Sequence, residues 1–262
     1  RKKLRVLLVD RRSFGAEQSI DQLPSGKWNR RALEPMESGS IEVVEVEPAA
    51  LYVADLRTAD AAIVPRPDLL TDAGWLLLGQ FAQRGGLVVI TPPGELNVHP
   101  WTEHLAKDLH LPWTIALETV DHPEGVALAE EQPPSEMLRM ISSDIAELVR
   151  PVTFVRILPI DGASVAAGGA QPLLVLEDGS PLMIAGNPAP AAPTASPSNS
   201  ATSEPTAPAT PGMVVLLSAA PELSWTTLPT KPLMLPLFQE LVRQGVSIIP
   251  GAQKVGVGEQ PG

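Results

Sequence analysis

The segment GGLVVITPPGE, residues 85 to 95, decides the fold. Gly85 and Gly86 follow a helical pattern, and the next four residues, LVVI, form a short apolar run that is typical of a buried strand. In open α/β sheets, ligands and reactive groups lie at the carboxyl ends of such strands. Thr91, the first residue after the run, therefore stands where a nucleophile or a ligand-binding loop is expected.

The residues before this segment alternate between strand and helix patterns. Apolar runs at 4 to 10, 41 to 47 and 60 to 67 predict three strands, and residues 71 to 86 predict a helix with Thr71 as its N-cap. Strands that alternate with helices imply right-handed crossovers and a sheet covered on both faces. We therefore expect an α/β fold with a mainly parallel sheet flanked by helices.

The C-terminal half has a different pattern. Residues 152 to 186 predict an added antiparallel β-meander, with turns at Asp161-Gly162 and Asp178-Gly179. The other predicted elements are helices at 100 to 109, 134 to 149 and 236 to 245, and a strand at 213 to 220.

A proline-rich segment at 187 to 212 interrupts this half, with seven prolines, seven alanines and one charged residue. Such a composition buries too little apolar surface to offset the entropy lost on ordering, so we predict a disordered loop inserted in a hairpin. The strands on both sides are expected to pair, which makes residues 1 to 250 one α/β domain. Residues 251 to 262 are predicted to be a tail that leads to a following domain.

Composition excludes several functions. The chain has 262 residues, no cysteine and a net charge of −11, although residues 1 to 31 carry nine Lys/Arg against three Asp/Glu. Thiol nucleophiles and thiolate metal sites are absent, and an acidic body does not favour nucleic-acid binding. No apolar run is long enough to span a membrane. The start at RKKLRVLLVD, without methionine, predicts a soluble piece of a longer protein.

Four stretches together resemble a known family: RVLLVD, GGLVVITPPG, PLLVLEDGSPLMI and, above all, LSAAPELSWTTLPTKPLMLPLFQELVR. They are similar to the class I glutamine amidotransferase-like domain of bacterial, planctomycete-type membrane proteins related to the aerotolerance (Bat) family. Those proteins carry an N-terminal pair of transmembrane helices and a von Willebrand factor A domain. The resemblance implies a flavodoxin-like sheet, and association with a membrane only through segments outside this chain.

The resemblance also implies where a catalytic site would lie. A working enzyme of this class has a cysteine on a sharp turn after the strand at 87 to 90, and a histidine and glutamate in an HPE-like turn after a later strand. Here the first turn contains Thr91 followed by two prolines, and the later turn reads Ala220-Pro221-Glu222. The cysteine and the histidine are both missing. We therefore predict no catalytic residues, and interpret Glu222 as a solvated turn residue.

Polar residues nevertheless follow several of the predicted strands. An anion or a small polar ligand could be held between two arginines and oriented by a carboxylate. The alternative is that Asp10 caps a loop and the arginines form surface ion pairs. The residues of this candidate ligand crevice are Asp10, Arg12, Arg66, Thr91, Glu95 and Ser218.

Histidines and tryptophans offer weaker candidates. His104 and Asp108, four residues apart on a helix, could face each other, but no ligand spacing typical of a metal site occurs, so neither a metal nor a cofactor is predicted. Trp225 either plugs the core or, with the prolines that follow it, forms an exposed recognition surface. We favour the core position for Trp225, and likewise for Trp101 and Trp113.

Three functional hypotheses follow. The first is a non-catalytic, amidotransferase-like module that senses a ligand or binds other domains or proteins of a membrane complex. The second is a hydrolase with a relocated active site formed by Asp10, Glu95 and Ser218. The third is a structural spacer, which would have no coherent pocket at the strand ends.

Overall fold

The computed structural model describes residues 3–11, 19–35, 39–189 and 211–248. Within them lie nine strands and seven α-helices, joined by short 3₁₀ turns. The strands are β1 Leu4–Val9, β2 Ile41–Val46, β3 Ala61–Val64, β4 Leu87–Ile90, β5 Val120–Ala127, β6 Thr153–Ile157, β7 Gln171–Val175, β8 Pro181–Gly186 and β9 Met213–Leu217. The helices are α1 Ser25–Leu33, α2 Val53–Arg57, α3 Asp72–Gln83, α4 Glu103–Lys107, α5 Ile145–Val149, α6 Gly162–Ala167 and α7 Met234–Ile248.

Seven strands form one sheet in the order β2, β1, β3, β4, β9, β8, β7. The first five are parallel, and β8 and β7 extend the sheet as antiparallel neighbours. The remaining strands, β5 and β6, form a separate antiparallel pair. The expected α/β fold with a mainly parallel sheet is therefore confirmed.

The sheet is buried on both faces because alternate residues of each strand enter different cores. In β4, Leu87 and Val89 belong to the core packed by α1 and α7, which we call the first core. Val88 and Ile90 belong to the core packed by α3, the second core. This explains why the strand is apolar at every position.

Several local predictions are confirmed. Helix α3 begins after Thr71, whose side chain accepts a hydrogen bond from the N–H of Gly74. Strands β8 and β9 pair with Met183 opposite Leu217, as expected for strands on either side of the proline-rich segment. Most of that segment, 190 to 210, and the tail after residue 248 lie outside the described residues.

The predicted meander is only partly correct. Strands β7, β8 and β9 are consecutive antiparallel neighbours, and the turn at Asp178-Gly179 is present, with Gly179 at φ 83°. However, β6 pairs with β5 instead of β7. The predicted turn at Asp161 is the start of α6, because the Asp161 carboxylate accepts hydrogen bonds from the N–H groups of Ala163 and Ser164 and so caps a helix.

The helix predicted at 134 to 149 is also wrong as a single element. A 3₁₀ segment covers Glu136–Ile141, with a non-helical kink at Leu138, and α5 begins only at Ile145. Ser142 and Ser143 lie between the two pieces, and serine competes with the helical backbone for hydrogen bonds. Helix α7, by contrast, extends beyond the prediction at both ends.

Candidate functional site

The carboxyl ends of the parallel strands meet at one edge of the sheet. Asp10 follows β1, Arg66 lies two residues after β3, Thr91 follows β4 and Ser218 follows β9. Arg12, which sequence reasoning placed with them, lies outside the described residues.

Arg66 is bound by two carboxylates. Its Nε and Nη2 donate to the two oxygens of Asp68 at 2.9 and 2.8 Å, and Nη2 also lies 2.8 Å from Oε1 of Glu95. The hydrogen bonds with Asp68 are the main reason that the pKa of Arg66 is raised, and the charges of Asp68, Glu95 and Asp10 act in the same direction. This guanidinium therefore compensates negative charge within the protein and has little capacity left for an anion.

Asp10 has an unusual environment. Burial raises the pKa of its carboxyl to about 6, against the opposing effects of the Arg11 N–H and the Arg66 charge. One carboxylate oxygen accepts a hydrogen bond of 2.7 Å from the N–H of Arg11. The other lies against Gly26 in the first turn of α1, where a Cβ atom would be only 1.7 Å from Oδ2. Only glycine permits this approach.

Glu222 joins three segments at the same edge. Its Oε1 accepts hydrogen bonds from the N–H and the hydroxyl of Ser25, at 2.9 and 2.8 Å. Its other oxygen packs against Gly94, whose carbonyl in turn accepts a bond of 2.8 Å from Nε1 of Trp225. The interpretation of Glu222 as a solvated turn residue is therefore wrong, since it links the β9 loop to α1 and to the loop after β4.

The two hydroxyls at the strand ends are enclosed. Thr91 and Ser218 are both 0% exposed, and neither side-chain oxygen has a hydrogen-bond partner among the described residues. Both residues continue the hydrogen bonding of the sheet through their backbones. The N–H of Thr91 donates to the carbonyl of Val64, and the N–H of Ser218 donates to the carbonyl of Leu182. By strand alternation, Thr91 faces the first core and Ser218 faces the second. The sheet therefore separates the two hydroxyls.

The candidate site thus forms two groups. Arg66 brings Asp68 and Glu95 together, while Glu222 and Asp10 contact neighbouring residues in the first turn of α1, Ser25 and Gly26 respectively. In the described part of the chain, the Ser218 hydroxyl has no hydrogen-bond partner, so it is not bonded to Asp10 or Glu95. Ala220, at the position where the resemblance would imply a histidine, is fully buried.

His99 lies in an aromatic cluster that sequence reasoning missed. The ring is fully buried, Nε1 of Trp101 donates to its Nδ1 at 3.1 Å, and Trp225 packs edge-on against it at 6.1 Å. Because Nδ1 accepts, the neutral ring carries its proton on Nε2, which has no hydrogen-bond partner among the described residues. Burial lowers the pKa of His99, and the charge of Asp68 opposes this.

The structure also tests the predictions for the His104–Asp108 pair and for the tryptophans. His104 and Asp108 do face each other, with Nδ1 and Oδ2 2.6 Å apart, and the imidazole stacks on Trp75 at 4.9 Å. Trp225 is fully buried, and Trp101 and Trp113 are buried as well. Among the described residues, no three acidic, histidine or cysteine side chains are grouped so that they could hold a metal ion.

Helix α1 is the main element of the site that sequence reasoning did not identify. The pattern was available, because Pro24 precedes a stretch with Trp28, Ala32 and Leu33 at helical spacing. The sequence pattern alone does not reveal that Ser25 contacts Glu222, in the loop after β9, or that Gly26 contacts Asp10, at the end of β1.

In the described ranges, no helix is long and apolar enough to cross a membrane.

No protein-family model and no curated protein matches this sequence. Solved structures are similar in fold. A cytoplasmic protein of Salmonella typhimurium is 10% identical, with 94% of this chain and 98% of that chain covered and a TM-score of 0.58. A cytoplasmic protein of Salmonella typhimurium LT2 is 12% identical, with 92% and 98% covered and a TM-score of 0.56.

A third similar structure is a β-galactosidase from Rahnella sp. R3, with 15% identity and a TM-score of 0.55. The match covers 95% of this chain but only 32% of the galactosidase, so this chain corresponds to about a third of that protein. At such low identities, these similarities show the fold and carry no activity with them.

Proposed function

We propose that this chain is a non-catalytic, class I amidotransferase-like module that senses a ligand or binds partner domains within a membrane-anchored bacterial protein. The order of its five parallel strands, β2-β1-β3-β4-β9, supports the flavodoxin-like part of this assignment, because that fold has the order 2-1-3-4-5. The fold also occurs as one part of a longer protein in the β-galactosidase, which is compatible with a modular role.

The observation that carries the proposal is the enclosure of both strand-end hydroxyls. A nucleophile must reach its substrate and must lie within hydrogen-bond distance of a base. Thr91 and Ser218 are 0% exposed, they have no hydrogen-bond partner among the described residues, and they face opposite sides of the sheet. The carboxylate of Glu222, which the family pattern would pair with a histidine, is instead bound to Ser25.

One observation favours the alternative, a hydrolase with a relocated site. Burial raises the pKa of the Asp10 carboxyl to about 6, and such perturbed groups concentrate at active sites. The proposed partners do not support it, because Glu95 pairs with Arg66 and Ser218 is enclosed on the far face of the sheet from Asp10. A perturbed carboxyl without a nearby nucleophile is better suited to binding than to hydrolysis.

The test is an assay of glutamine and p-nitrophenyl ester hydrolysis with the wild-type chain and three variants, Thr91→Val, Ser218→Ala and Asp10→Asn. We expect no turnover above buffer for any of them. Turnover by the wild type that any one of these substitutions abolishes would overturn the proposal in favour of the hydrolase. Turnover that all three variants retain would point to contamination, which repeated purification resolves.

The membrane part of the proposal is tested with the natural full-length protein. We expect it to remain with the membrane fraction after washing with alkaline carbonate and to be released by detergent. Recovery in the carbonate wash would overturn the membrane anchor and leave the non-catalytic assignment to stand on the hydrolysis assay.

A further inference from the structure

The loop after β4 is held against the edge of the sheet by side chains from other segments. We call residues 91 to 98 the β4 loop. The carbonyl of Gly94 in this loop accepts a hydrogen bond of 2.8 Å from Nε1 of Trp225. Oε1 of Glu95 lies 2.8 Å from Nη2 of Arg66. The loop is therefore fixed by contacts to the segment after β9 and to the segment after β3.

His99 directly follows the β4 loop and anchors its C-terminal end. Its backbone N–H donates to the carbonyl of Leu117 at 2.7 Å. Its ring is 0% exposed and lies edge-on to Trp101 and Trp225, with ring centroids 6.0 and 6.1 Å away. Trp225 thus contacts the His99 ring and also binds the loop at Gly94. The ring and the loop therefore share one support.

The contact with Trp101 fits only the neutral ring. An indole N–H donates but cannot accept, so its 3.1 Å contact with Nδ1 of His99 requires an unprotonated Nδ1. In the protonated ring both nitrogens carry hydrogen and both are donors. Two N–H groups would then face each other in an enclosed site, where an unpaired donor is unfavourable. Protonation of His99 is therefore incompatible with the present position of its ring.

The surrounding charges do not compensate for protonation. The charge of Asp68 and the backbone of Leu96 favour the protonated ring, but burial has the larger effect and lowers the pKa of His99. The Asp68 carboxylate already accepts two hydrogen bonds from Arg66. The other titratable groups on the surrounding elements are Glu95, bound to Arg66; Glu222, bound to Ser25; Asp121 and Arg156, which pair beside Trp225; His104 and Asp108, which pair beside Trp75; and the exposed Glu118.

We propose that His99 is an acid-sensitive latch of the β4 loop. The neutral ring stays between Trp101 and Trp225 and keeps the loop closed. The protonated ring leaves this position, and the loop, which continues directly into His99, opens with it. Opening uncovers Arg66 and Asp68, whose side chains are only 17% and 13% exposed while the loop is closed. This inference goes beyond the proposed function and does not rest on it.

His104 shows why the chemistry of the contact matters. Its Nδ1 lies 2.6 Å from Oδ2 of Asp108, which is an acceptor. Nδ1 can donate to this carboxylate in both the neutral and the protonated ring. Protonation of His104 therefore leaves its pair intact, whereas protonation of His99 breaks its contact with Trp101.

The experiment is amide hydrogen exchange of the ¹⁵N-labelled chain at pH 7.5 and 5.5, with each rate divided by that of an unstructured reference peptide. The reporters are the N–H groups of His99 and Thr119, which donate to the carbonyls of Leu117 and Asn97. Because the ordinary pKa of histidine is 6.5, an expelled ring is about 90% protonated at pH 5.5. We therefore expect the protection of both amides to fall about tenfold between the two pH values. Unchanged protection in the wild type would already overturn the proposal.

An amide of the central strand distinguishes opening of the loop from unfolding of the whole chain. Val89 lies in β4 and is 0% exposed, so its N–H exchanges only when the sheet unfolds. At both pH values, we expect the two reporters to be protected at least about tenfold less than Val89. Protection equal to that of Val89 would mean that the reporters exchange only by global unfolding, which would refute the latch.

Variants assign the effect to one histidine. His99→Gln retains an acceptor for Trp101 and cannot take up a proton, so the protection of both reporters should be the same at the two pH values. If His99→Gln does not fold, His99→Asn replaces it, because its Oδ1 occupies a position similar to that of Nδ1. His122→Gln, which removes a half-buried histidine in β5, is the matched control and should keep the tenfold fall. A fall that persists without His99, or one that disappears without His122, would contradict the assignment.

Discussion

Glu222 caps the start of α1 from a position 197 residues further along the chain, accepting from both the N–H and the hydroxyl of Ser25. The first N–H groups of a helix have no partner within the helix, and a carboxylate there is favoured by the helix dipole. A single carboxylate thus joins the loop after β9 to the helix that covers β1.

This contact is expected to stabilise the fold. Glu222→Ala should lower the free energy of unfolding by about 1–3 kcal/mol, because it removes a charge-assisted acceptor from two buried donors. Ser25→Ala should lower the free energy of unfolding by less, because the backbone N–H at position 25 can still donate to Glu222. Urea unfolding measures both, with the exposed Ser224→Ala as control. An unchanged midpoint for Glu222→Ala would show that this contact contributes nothing in solution.

Gly26 is expected to tolerate no side chain. A Cβ atom there would meet Oδ2 of Asp10 at 1.7 Å, so Gly26→Ala must displace the carboxylate or the helix. We expect a loss of about 1–3 kcal/mol in unfolding free energy, as for other overpacked sites. Gly162→Ala is the matched control, because its Cβ would meet only Pro181, at an ordinary contact distance of 3.7 Å. Equal stability of the two variants would contradict the close approach.

Ionised Asp10 is expected to destabilise the protein above pH 6. Its pKa rises from an ordinary 3.8 to about 6, so the folded state binds more protons than the unfolded state between these values. Stability from this group is therefore greatest at low pH and is lost as the pH rises through 6. At pH 8, Asp10→Asn should raise the free energy of unfolding by about 1–3 kcal/mol, a range already reduced for solvent screening. At pH 4, where the carboxyl is protonated in the wild type, the substitution should change this free energy little. Urea titrations at both pH values measure the difference, and a gain independent of pH would refute this cause.

The contribution of His99 to stability is expected to depend on pH in the opposite direction to that of Asp10. Its pKa is lowered from an ordinary 6.5, so the unfolded state takes up a proton that the folded state refuses. This stability is present above pH 6.5 and is lost as the pH falls through the folded-state pKa. His99→Gln retains an acceptor for Trp101 and removes the titration. The stability advantage of the wild type over this variant should therefore shrink between pH 7.5 and 5.5, and a constant difference would exclude His99 as the cause.

The enclosed hydroxyls are expected to be dispensable. Thr91→Val keeps the shape of the side chain and removes a buried oxygen that has no hydrogen-bond partner among the described residues, so stability should be unchanged or should rise by about 1 kcal/mol. Ser218→Ala should behave similarly. Thermal unfolding measures both effects. A loss above about 1 kcal/mol for Thr91→Val would mean that the hydroxyl has a partner, such as an ordered water.

The sequence predicted correctly those helices and strands that neighbouring residues alone determine. The N-cap Thr71, the apolar spacing of α3 and the run of β4 are contiguous, and each was identified from neighbouring residues. The helix predicted at 134 to 149 failed because apolar spacing alone does not reveal the break that Ser142 and Ser143 introduce. The meander failed at Asp161 because an Asp-Gly pair starts a helix as readily as it forms a turn.

By itself, the sequence determined the α/β class, the parallel core strands and the absence of cysteine chemistry, because alternation, apolar runs and composition are properties of the chain alone. The tertiary structure decided which polar groups meet. Asp10, Gly26 and Glu222 are far apart in the chain and come together only because β1, β9 and α1 converge at one edge of the sheet. Likewise, side chains alternate along β4 and β9 as in any strand, but only the pairing register of the two strands places Thr91 and Ser218 in opposite cores.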